Sequence, residues 1–598
     1  MITSCDLILQ KAVELHQSGD LDGAEHIYRQ LLDISPENGD LLHLMGLIAC
    51  QRGAFDSALD FLYKAVRFCP TSYQFEFTLA QALNEANHPK EAIEHYNKVK
   101  KLNPDFPDTY NNLGVIYRSL KEIDQAKKYF EIALQKNPTF ALAKVNKALI
   151  LRDEQNYTET LTLLDSAIQD DENEAEAWFQ KGATLRMMGK YNDALTAIST
   201  AVDLSPQNEK YWNGIGIIYE NLGQNKEAID AYNHAIAIAP LYPDPFANRA
   251  NIEVKNKEYD KAEQDYKHAV KLDPKFGSAF HNLGTLLVNL DRLEEALECF
   301  RKAFIINPNS AKTCFNLADI VRKSGEYGDA IGLYFNTLRL DSTLTESHVL
   351  IAECLHQLYL TDKEIAVKLA QKWHDWFPNN AIANHLWNAF ENKSPENTSP
   401  EYVECLFDNF AEKFEKNLAN LEYKVPELIK SVLPTKTNLI TLDAGCGTGL
   451  LAPYLFPISD TLDGIDLSEK MLKQAKEKNL YTHLIKTDII PYLIEHKSTY
   501  DLICLADVVC YFGQTASLFN ETFDSLKENG ELIFTIEKLE SDENYTLSTT
   551  GRYQHNSNNI KLLLTDIGFS NIETNDVILR KENGKDVIGC LIKTQKKI

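Results

Sequence analysis

No Cys-x-x-Cys pair occurs among the 11 cysteines, which are scattered from Cys5 to Cys590. That absence argues against a zinc ribbon and a disulfide framework, and it predicts no metal and a reducing compartment. No run of about 18 apolar residues is present, and Met1–Gln10 lacks a basic stretch followed by a long apolar core. The expectation is a soluble, cytoplasmic protein with no membrane partner. Basic charge is also in short supply: 61 Lys and Arg stand against 86 Asp and Glu, a net charge of −25. Nucleic-acid affinity rests on clustered Lys and Arg, so no nucleic-acid partner is expected.

What the chain has in quantity is length and repetition. At 598 residues it predicts several domains, because a single core rarely grows past ~300 residues. Rows of 34 residues align Gly46/Ala58/Pro70, Gly114/Ala126/Pro138, Gly182/Ala194/Pro206, Gly216/Ala228/Pro240 and Gly284/Ala296/Pro308. Tyr96, Phe130, Tyr232, Tyr266, Phe300 and Tyr334 fall four positions after the alanine, where they are expected to fill the gap to the next unit. Period and pattern match the tetratricopeptide repeat, two helices per unit. About eleven units run from Ser4 to Pro378, with atypical first, fifth and eleventh members. The fifth has Thr160 at the usual alanine and no terminal proline; the eleventh carries a two-residue insertion around Tyr359–Asp362.

Asn112, Asn146, Asn248, Asn282 and Asn316 share one repeat position. An amide both donates and accepts, so a row of them in a concave groove could hold an extended peptide backbone. This resembles the asparagine ladder in the repeat domain of the O-GlcNAc transferases, a resemblance confined to the repeats. Ordinary repeats also place asparagine here on a solvated face, and both readings stand.

After a closing helix over Ala381–Phe390, the polar, proline-punctuated stretch Glu391–Pro400 reads as a linker. The domain expectation is repeats over 1–378, cap and linker over 379–400, and a catalytic domain over 401–598. In that last third an apolar strand, Leu439–Leu442, runs into Asp443-Ala-Gly445-Cys446-Gly447-Thr-Gly449 and then a helical pattern. Glycines let backbone N–H groups approach a ligand, a following helix would turn its positive end toward it, and an acidic residue before the first glycine suits an ammonium group.

The stretch resembles motif I of class I S-adenosylmethionine-dependent methyltransferases. Six further strand segments are predicted: Thr461–Ile465, Thr482–Lys486, Leu502–Leu505, Gly530–Ile536, Ile572–Leu579 and Val587–Lys593. The last two form a hairpin through Glu582-Asn583-Gly584, so the expected fold is α/β, a mostly parallel seven-stranded sheet with an antiparallel edge, behind an all-α solenoid. Asp466, with Leu467, ends the second strand and could accept from ribose hydroxyls. Asp488 follows the third strand, with Ile489 placed to pack on adenine, and Asp507 ends the fourth beside the presumed reaction centre. S-adenosylmethionine is the implied cofactor. A helix over Tyr402–Leu421, with Phe407, Phe414 and Leu418 on its apolar stripe, is either a lid or plain core.

Asp507-Val-Val-Cys-Tyr511 departs from the D/N-P-P-Y/F signature, which weakens adenine and glutamine-amide acceptors. Glu537, the element Gly551-Arg552-Tyr553-Gln554-His555 and the ending Leu579-Arg580-Lys581-Glu582…Gly589, together with the Phe407–Phe414 stretch, resemble a predicted family of bacterial tetratricopeptide-repeat methyltransferases. That resemblance implies Arg552 orienting an anionic group and His555 or Glu537 as base. Blander roles remain open, His555 as a cap for the helix near Asn558 and Glu537 as the partner of a lysine. The expected function is a methyltransferase whose repeats recruit a protein or peptide acceptor; a small-molecule methyltransferase docked by its repeats and a non-catalytic scaffold are the alternatives.

Overall fold

The computed structural model describes residues 4–582 and 584–597. Met1–Thr3, part of the N-terminal stretch read for a leader, and Asn583, at the tip of the expected hairpin, lie outside the described residues. The chain divides into two compact units, Met1–Pro274 and Lys275–Ile598.

The first unit is all-α. Its described residues form eight helix pairs, from Ser4–Gln17 with Leu21–Ile34 to Asp244–Lys255 with Tyr259–Leu272. Side chains satisfy the open N–H groups at several helix starts: Asn38 accepts from Leu41 N and Ser72 from Phe75 N. The turn inside each pair repeats one strained backbone position, taken by Gly53, Gly189 and Gly223 but also by Asn87, Lys121 and Gln155, all with φ between 62° and 75°. A left-handed residue there reverses the chain, at about 1 kcal/mol for a residue with a Cβ.

The aromatic residues four after the alanine reach the next unit, as the sequence suggested: Phe130 shares a core with Ile150, Tyr232 with Ile252, and Tyr96 with Leu113 and Ile116. Phe130 and Tyr232 also pack back on the glycine of their own pair. A Cβ on Gly114 would lie 2.5 Å from the Phe130 ring, and one on Gly216 would lie 2.4 Å from Tyr232. Phe130 and Tyr232 are fully buried. The atypical fifth repeat keeps the same fold, Ala141–Asp153 with Tyr157–Asp170. Thr160 fits at the alanine site because its hydroxyl donates to Asn156 O at 2.8 Å. The missing proline is also tolerated: Glu172 O accepts from Trp178 Nε1 at 3.0 Å, as Pro206 O does from Trp212 at 2.9 Å.

The second unit begins with three more pairs, the last being Glu346–Thr361 with Lys363–Trp376. The insertion in this eleventh repeat lengthens the first helix to 16 residues. Ala381–Phe390 follows as a helix capped by Asn380. Then comes a nine-stranded mixed sheet of β1 (Leu439–Ala444), β2 (Ser459–Asp466), β3 (His483–Lys486), β4 (Tyr500–Leu505), β5 (Leu526–Lys538), β6 (Tyr545–Leu547), β7 (Tyr553–His555), β8 (Phe569–Glu582) and β9 (Lys585–Lys596). The strand order is β3-β2-β1-β4-β5-β7-β6, with β9 antiparallel to β5 and paired to β8. Seven strands match the expected segments. The short pair β6 and β7 was missed, because three residues carry no readable alternation.

Strand residues alternate between two cores. Ile503 and Leu505 join Phe519 and Leu564 on one face, while Leu502 and Cys504 join Val425 and Leu455 on the other. Burial on both faces is what a parallel sheet between helices requires, and each fully buried Leu or Phe contributes roughly 1.5–3 kcal/mol. The carboxyl ends of β1, β2 and β4 are thereby brought to one rim, where the site lies.

Candidate active site

The glycine turn leaves β1 and hooks onto β2: Gly445 N and Cys446 N both donate to Ile465 O, at 2.8 and 2.9 Å. Its three glycines serve three purposes. Gly445 makes room for Val508, whose Cγ2 would be 2.5 Å from a Cβ, and Gly449 makes room for Tyr481 at 3.0 Å. Only Gly447 faces open space, its nearest neighbour being Phe414 at 3.9 Å. All three have φ between 53° and 80°. The helix expected after the turn is four residues, Ala452–Leu455, followed by a single 3-10 turn. Its dipole is therefore a minor contribution, and the backbone amides of the loop carry the polarity.

A crevice opens above this turn. Gly445, Gly447, Asp466, Leu467, Asp488, Ile489 and Asp507 line it from the strand ends. Asp443, Cys446 and Gly449 do not. Asp443 lies beneath, 1% exposed, accepting from Tyr481 Oη at 2.6 Å, while its Oδ1 has no hydrogen-bond partner. Burial, with the nearby Asp466 charge, outweighs the Tyr481 hydrogen bond and pushes its carboxyl up to about 7. Cys446 is likewise buried, and its thiol is pushed up. Asp466 bridges the loop, accepting from Gly447 N at 2.9 Å and Ser468 N at 2.8 Å. Asp488 caps the helix Ile489–Glu495 through Ile490 N at 3.3 Å. Each carboxylate retains further acceptor sites.

The opposite wall is the segment ahead of β1. The helix expected over 402–421 is broken: Pro400–Phe410 and Phe414–Asn420 flank a 3-10 turn, and Phe407, Phe414, Leu418 and Tyr423 line the crevice. Of the two readings, the lid describes this wall. Polar contacts hold it down, Asp408 accepting from Ser468 Oγ at 2.6 Å and Glu415 from Thr448 Oγ1 at 2.8 Å.

At the far end Arg552 lines the crevice beside Asp507 and Tyr511. Its guanidinium donates to Glu537, to Asp507 and to Tyr511 Oη. A second arginine, Arg580, donates to Glu537 at 2.6 Å and Glu582 at 2.7 Å, while its Nη1 is buried without a hydrogen-bond partner, 3.8 Å from Asp507. Burial alone would lift the Asp507 carboxyl; the two guanidiniums outweigh it and hold it below the usual range. Arg580, 3% exposed, belonged to the stretch that carried the family resemblance, but the sequence assigned it no role.

His555 does not join this cluster. It is 1% exposed, its Nε2 donates to Val509 O at 3.3 Å, and it lines a separate small cavity with Gln514, Asn544 and Asn559. Burial brings its pKa down to about 4. A general-base role for His555 is thus corrected: the ring is walled off from the crevice. Nor does it cap the next helix, since Asn556 does, accepting from Asn558 N and Asn559 N. Glu537 pairs with two arginines in place of a lysine.

The five asparagines of the repeats are half-buried. In the first unit Asn146 donates to Asn111 at 2.9 Å, Asn248 to Asn213 at 3.0 Å, and Asn112 to Tyr96 at 3.1 Å. They therefore knit neighbouring helices together, and one bond of this kind does not exhaust an amide. Asn282 and Asn316 belong to the second unit.

Residues 391–400 are not a free linker. Leu547 N donates to Ser394 Oγ at 3.0 Å, Tyr553 Oη to Pro395 O at 2.9 Å, Gln514 N to Glu396 O at 2.6 Å and Thr398 N to Tyr511 O at 3.3 Å. Gly513 permits this approach, because a Cβ there would lie 2.6 Å from Pro395 O. The linker expected over Glu391–Pro400 is therefore a docked strap.

Comparison with known proteins agrees with this architecture. The methyltransferase domain family matches residues 442–534. Tetratricopeptide-repeat families match 9–73, 80–121, 107–140, 179–243, 244–276, 277–310 and 313–346. Among curated relatives, BBSome complex member BBS4 of Bos taurus is 29% identical over 104 residues, 17% of this chain and 20% of that protein. Malonyl-[acyl-carrier protein] O-methyltransferase of Salmonella typhimurium is 26% identical over 135 residues, 22% of this chain and 52% of that protein. Ubiquinone biosynthesis O-methyltransferase of Pelagibacter ubique is 26% identical over 178 residues, covering 29% and 62%. This chain thus spans about a fifth to three fifths of the length of these relatives. The yeast Tom70 crystal structure, 15% identical, covers 61% of this chain and 98% of its own at a TM-score of 0.36, too low to carry an argument. No described helix is long and apolar enough to cross a membrane. The chain joins a tetratricopeptide-repeat solenoid to a methyltransferase domain, a family that implies S-adenosylmethionine as the methyl donor.

Proposed function

We propose that the C-terminal domain is a class I methyltransferase and that the repeats recruit a protein or peptide, itself the methyl acceptor. The observation that carries the enzyme reading is the crevice over Gly447, where an open glycine, the Asp466 and Asp488 carboxylates and apolar Leu467 and Ile489, with the orphaned Asp443 oxygen beneath, match a ligand with carboxylate, ribose, adenine and ammonium features. Asp466 would hold the ribose, Asp488 the adenine amine, Ile489 the ring, and the Gly447 backbone the amino-acid end. When bound, S-adenosylmethionine supplies an electrophilic methyl group on a sulfonium.

The chain's own work is to exclude water and align the acceptor, the two contributions that matter most for such a displacement. Phe407, Phe414 and Leu418 cover the crevice. Arg552 offers its remaining N–H groups to an anionic part of the acceptor, and Glu537 with Asp507 holds that guanidinium in place. Because the network's charges nearly cancel, recognition there depends on aimed donors and not on a net positive field.

Peptide recruitment is supported by the repeated asparagines. A second reading, a small-molecule acceptor with the repeats docking the enzyme elsewhere, is favoured by the two O-methyltransferase relatives, whose names point to a carrier-bound malonyl group and to ubiquinone biosynthesis. Labelled methyl transfer into extract by the full chain, compared with Asn146→Ala/Asn248→Ala, separates them. Label on protein that falls at least ~tenfold in the variant, with cofactor affinity intact, supports the first reading. Label on small molecules in both supports the second. Cofactor binding without any transfer leaves a scaffold.

A further inference from the structure

Arg552 is carried by a tight turn whose tip is gripped from outside the catalytic sheet. Within the turn, Ser548 N donates to Arg552 O and Gly551 N to Ser548 O, both at 2.9 Å. An isolated surface turn of this size would be mobile. Here it sits on the helix that closes the repeats: His385 Nε2 donates to Gly551 O at 2.9 Å. The imidazole lies 4.1 Å from the Tyr402 ring, and both residues are buried. Gly551, at φ +80°, leaves no room for a side chain, since a Cβ would lie 2.5 Å from Tyr402 Oη and 3.3 Å from Leu386. The turn is fixed on both flanks as well, Leu547 N donating to Ser394 and Tyr553 Oη to Pro395 O. Ala389 of the closing helix joins Leu547 and Tyr553 in one small core.

We propose that His385 is a positioning residue for methyl transfer, holding the Gly551 carbonyl and thereby the Arg552 guanidinium beside the crevice. This rests on the reading of that crevice as the site of methyl transfer. His385 touches neither cofactor nor acceptor; it acts through one peptide group. Burial holds the imidazole below its ordinary pKa, so it is neutral and its single N–H is committed to Gly551. The closing helix of the repeats then positions the site from outside it, through a contact that spans 166 residues of sequence. A displacement of about 1 Å at an orienting group costs on the order of 100-fold in rate.

The full chain is compared with H385L, which keeps volume but loses the donor, and H385Q, whose amide can reach the same carbonyl. Amide hydrogen exchange at Ser548 and Gly551 should quicken at least ~tenfold in H385L, while β1 amides keep their protection. Labelled methyl transfer from S-adenosylmethionine into extract should fall by roughly 10–100-fold in H385L, with cofactor Kd from calorimetry within about twofold of wild type. H385Q should recover to within a few-fold on both measurements. Unchanged exchange in H385L, wild-type transfer in H385L, or H385Q as defective as H385L would each overturn the proposal, the last by showing packing alone. If the wild-type chain itself transfers no label, the methyl-transfer reading fails, and the proposed grip on the turn is still judged by amide exchange.

Discussion

Tyr481 Oη donates a hydrogen bond to one oxygen of Asp443 across 2.6 Å, and the second oxygen, Oδ1, is buried without a hydrogen-bond partner. The phenol fills the space that Gly449 and Gly464 leave open. On the proposed cofactor reading, a ligand ammonium in the crevice above would act on this half-satisfied carboxyl through its charge.

Asp443 therefore makes a pH prediction. Its folded pKa is raised to about 7 from an unfolded value near 3.8, so the folded state binds the extra proton between those limits. Its contribution is fully present below about pH 4 and is lost as pH rises toward 7, by up to ~4 kcal/mol. Denaturant titrations should show that loss in wild type and not in Asp443→Asn. An ammonium nearby draws the carboxyl down again, so S-adenosylmethionine affinity should strengthen from pH 5.5 to 8 with proton release. Calorimetry in buffers of different ionisation enthalpy reads both; a flat affinity profile in wild type would refute the assignment.

Asp466 has two tasks, tying the Gly447 and Ser468 amides and facing the crevice. Asp466→Ala should weaken S-adenosylmethionine by at least ~tenfold, about 1.4 kcal/mol, and lower Tm by several degrees because two amides lose their acceptor. Calorimetry and thermal unfolding on one preparation provide the check. Unchanged affinity would show that the ribose lies elsewhere.

The cluster of Arg580, Arg552, Glu537 and Asp507 should resist single replacements. Arg580→Met leaves Glu537 with one buried cationic partner and should cost about 3–5 kcal/mol in urea unfolding. The Asp507 carboxyl is held below its ordinary value, so its stabilisation is present above the unfolded pKa and is lost as pH falls through the folded one. The wild-type protein should accordingly lose stability below about pH 4, and Asp507→Asn should lose less there while being weaker at pH 7.

Two glycines separate packing from propensity in the repeats. A Cβ on Gly182 would lie 2.3 Å from Ile198 and 3.0 Å from Ala194 O, whereas one on Gly332 meets nothing within 4 Å. Gly182→Ala should destabilise by about 1–3 kcal/mol. Gly332→Ala, on an open helix face, should stabilise by about 0.5–1 kcal/mol. Thermal unfolding of both variants tests whether close helix approach fixes glycine at the repeat position.

The solenoid was legible because its information is local and periodic. Gly114, Ala126 and Phe130 recur every 34 residues, each marking a contact made within one helix pair. The turn after β1 was legible for a related reason: a strand that ends in three glycines with positive φ leaves few backbone paths. The lid wall was readable as an apolar stripe, though its break at Ala411–Lys413 was not. His555 misled because a sequence motif shows neighbours along the chain and not the direction of a side chain; β7 aims that ring away from the crevice while Arg552, just ahead of the strand, lines it.

Sequence by itself determined the repeat period, the α/β order of the last third and the carboxylates at the strand ends, all set by backbone geometry within a few dozen residues. Only the tertiary structure decided that Arg580 meets Glu537 across 43 positions and that His385 reaches Gly551 across 166. Such pairs follow from which faces pack together, and packing is chosen by the whole core at once, not by the spacing of the residues that meet.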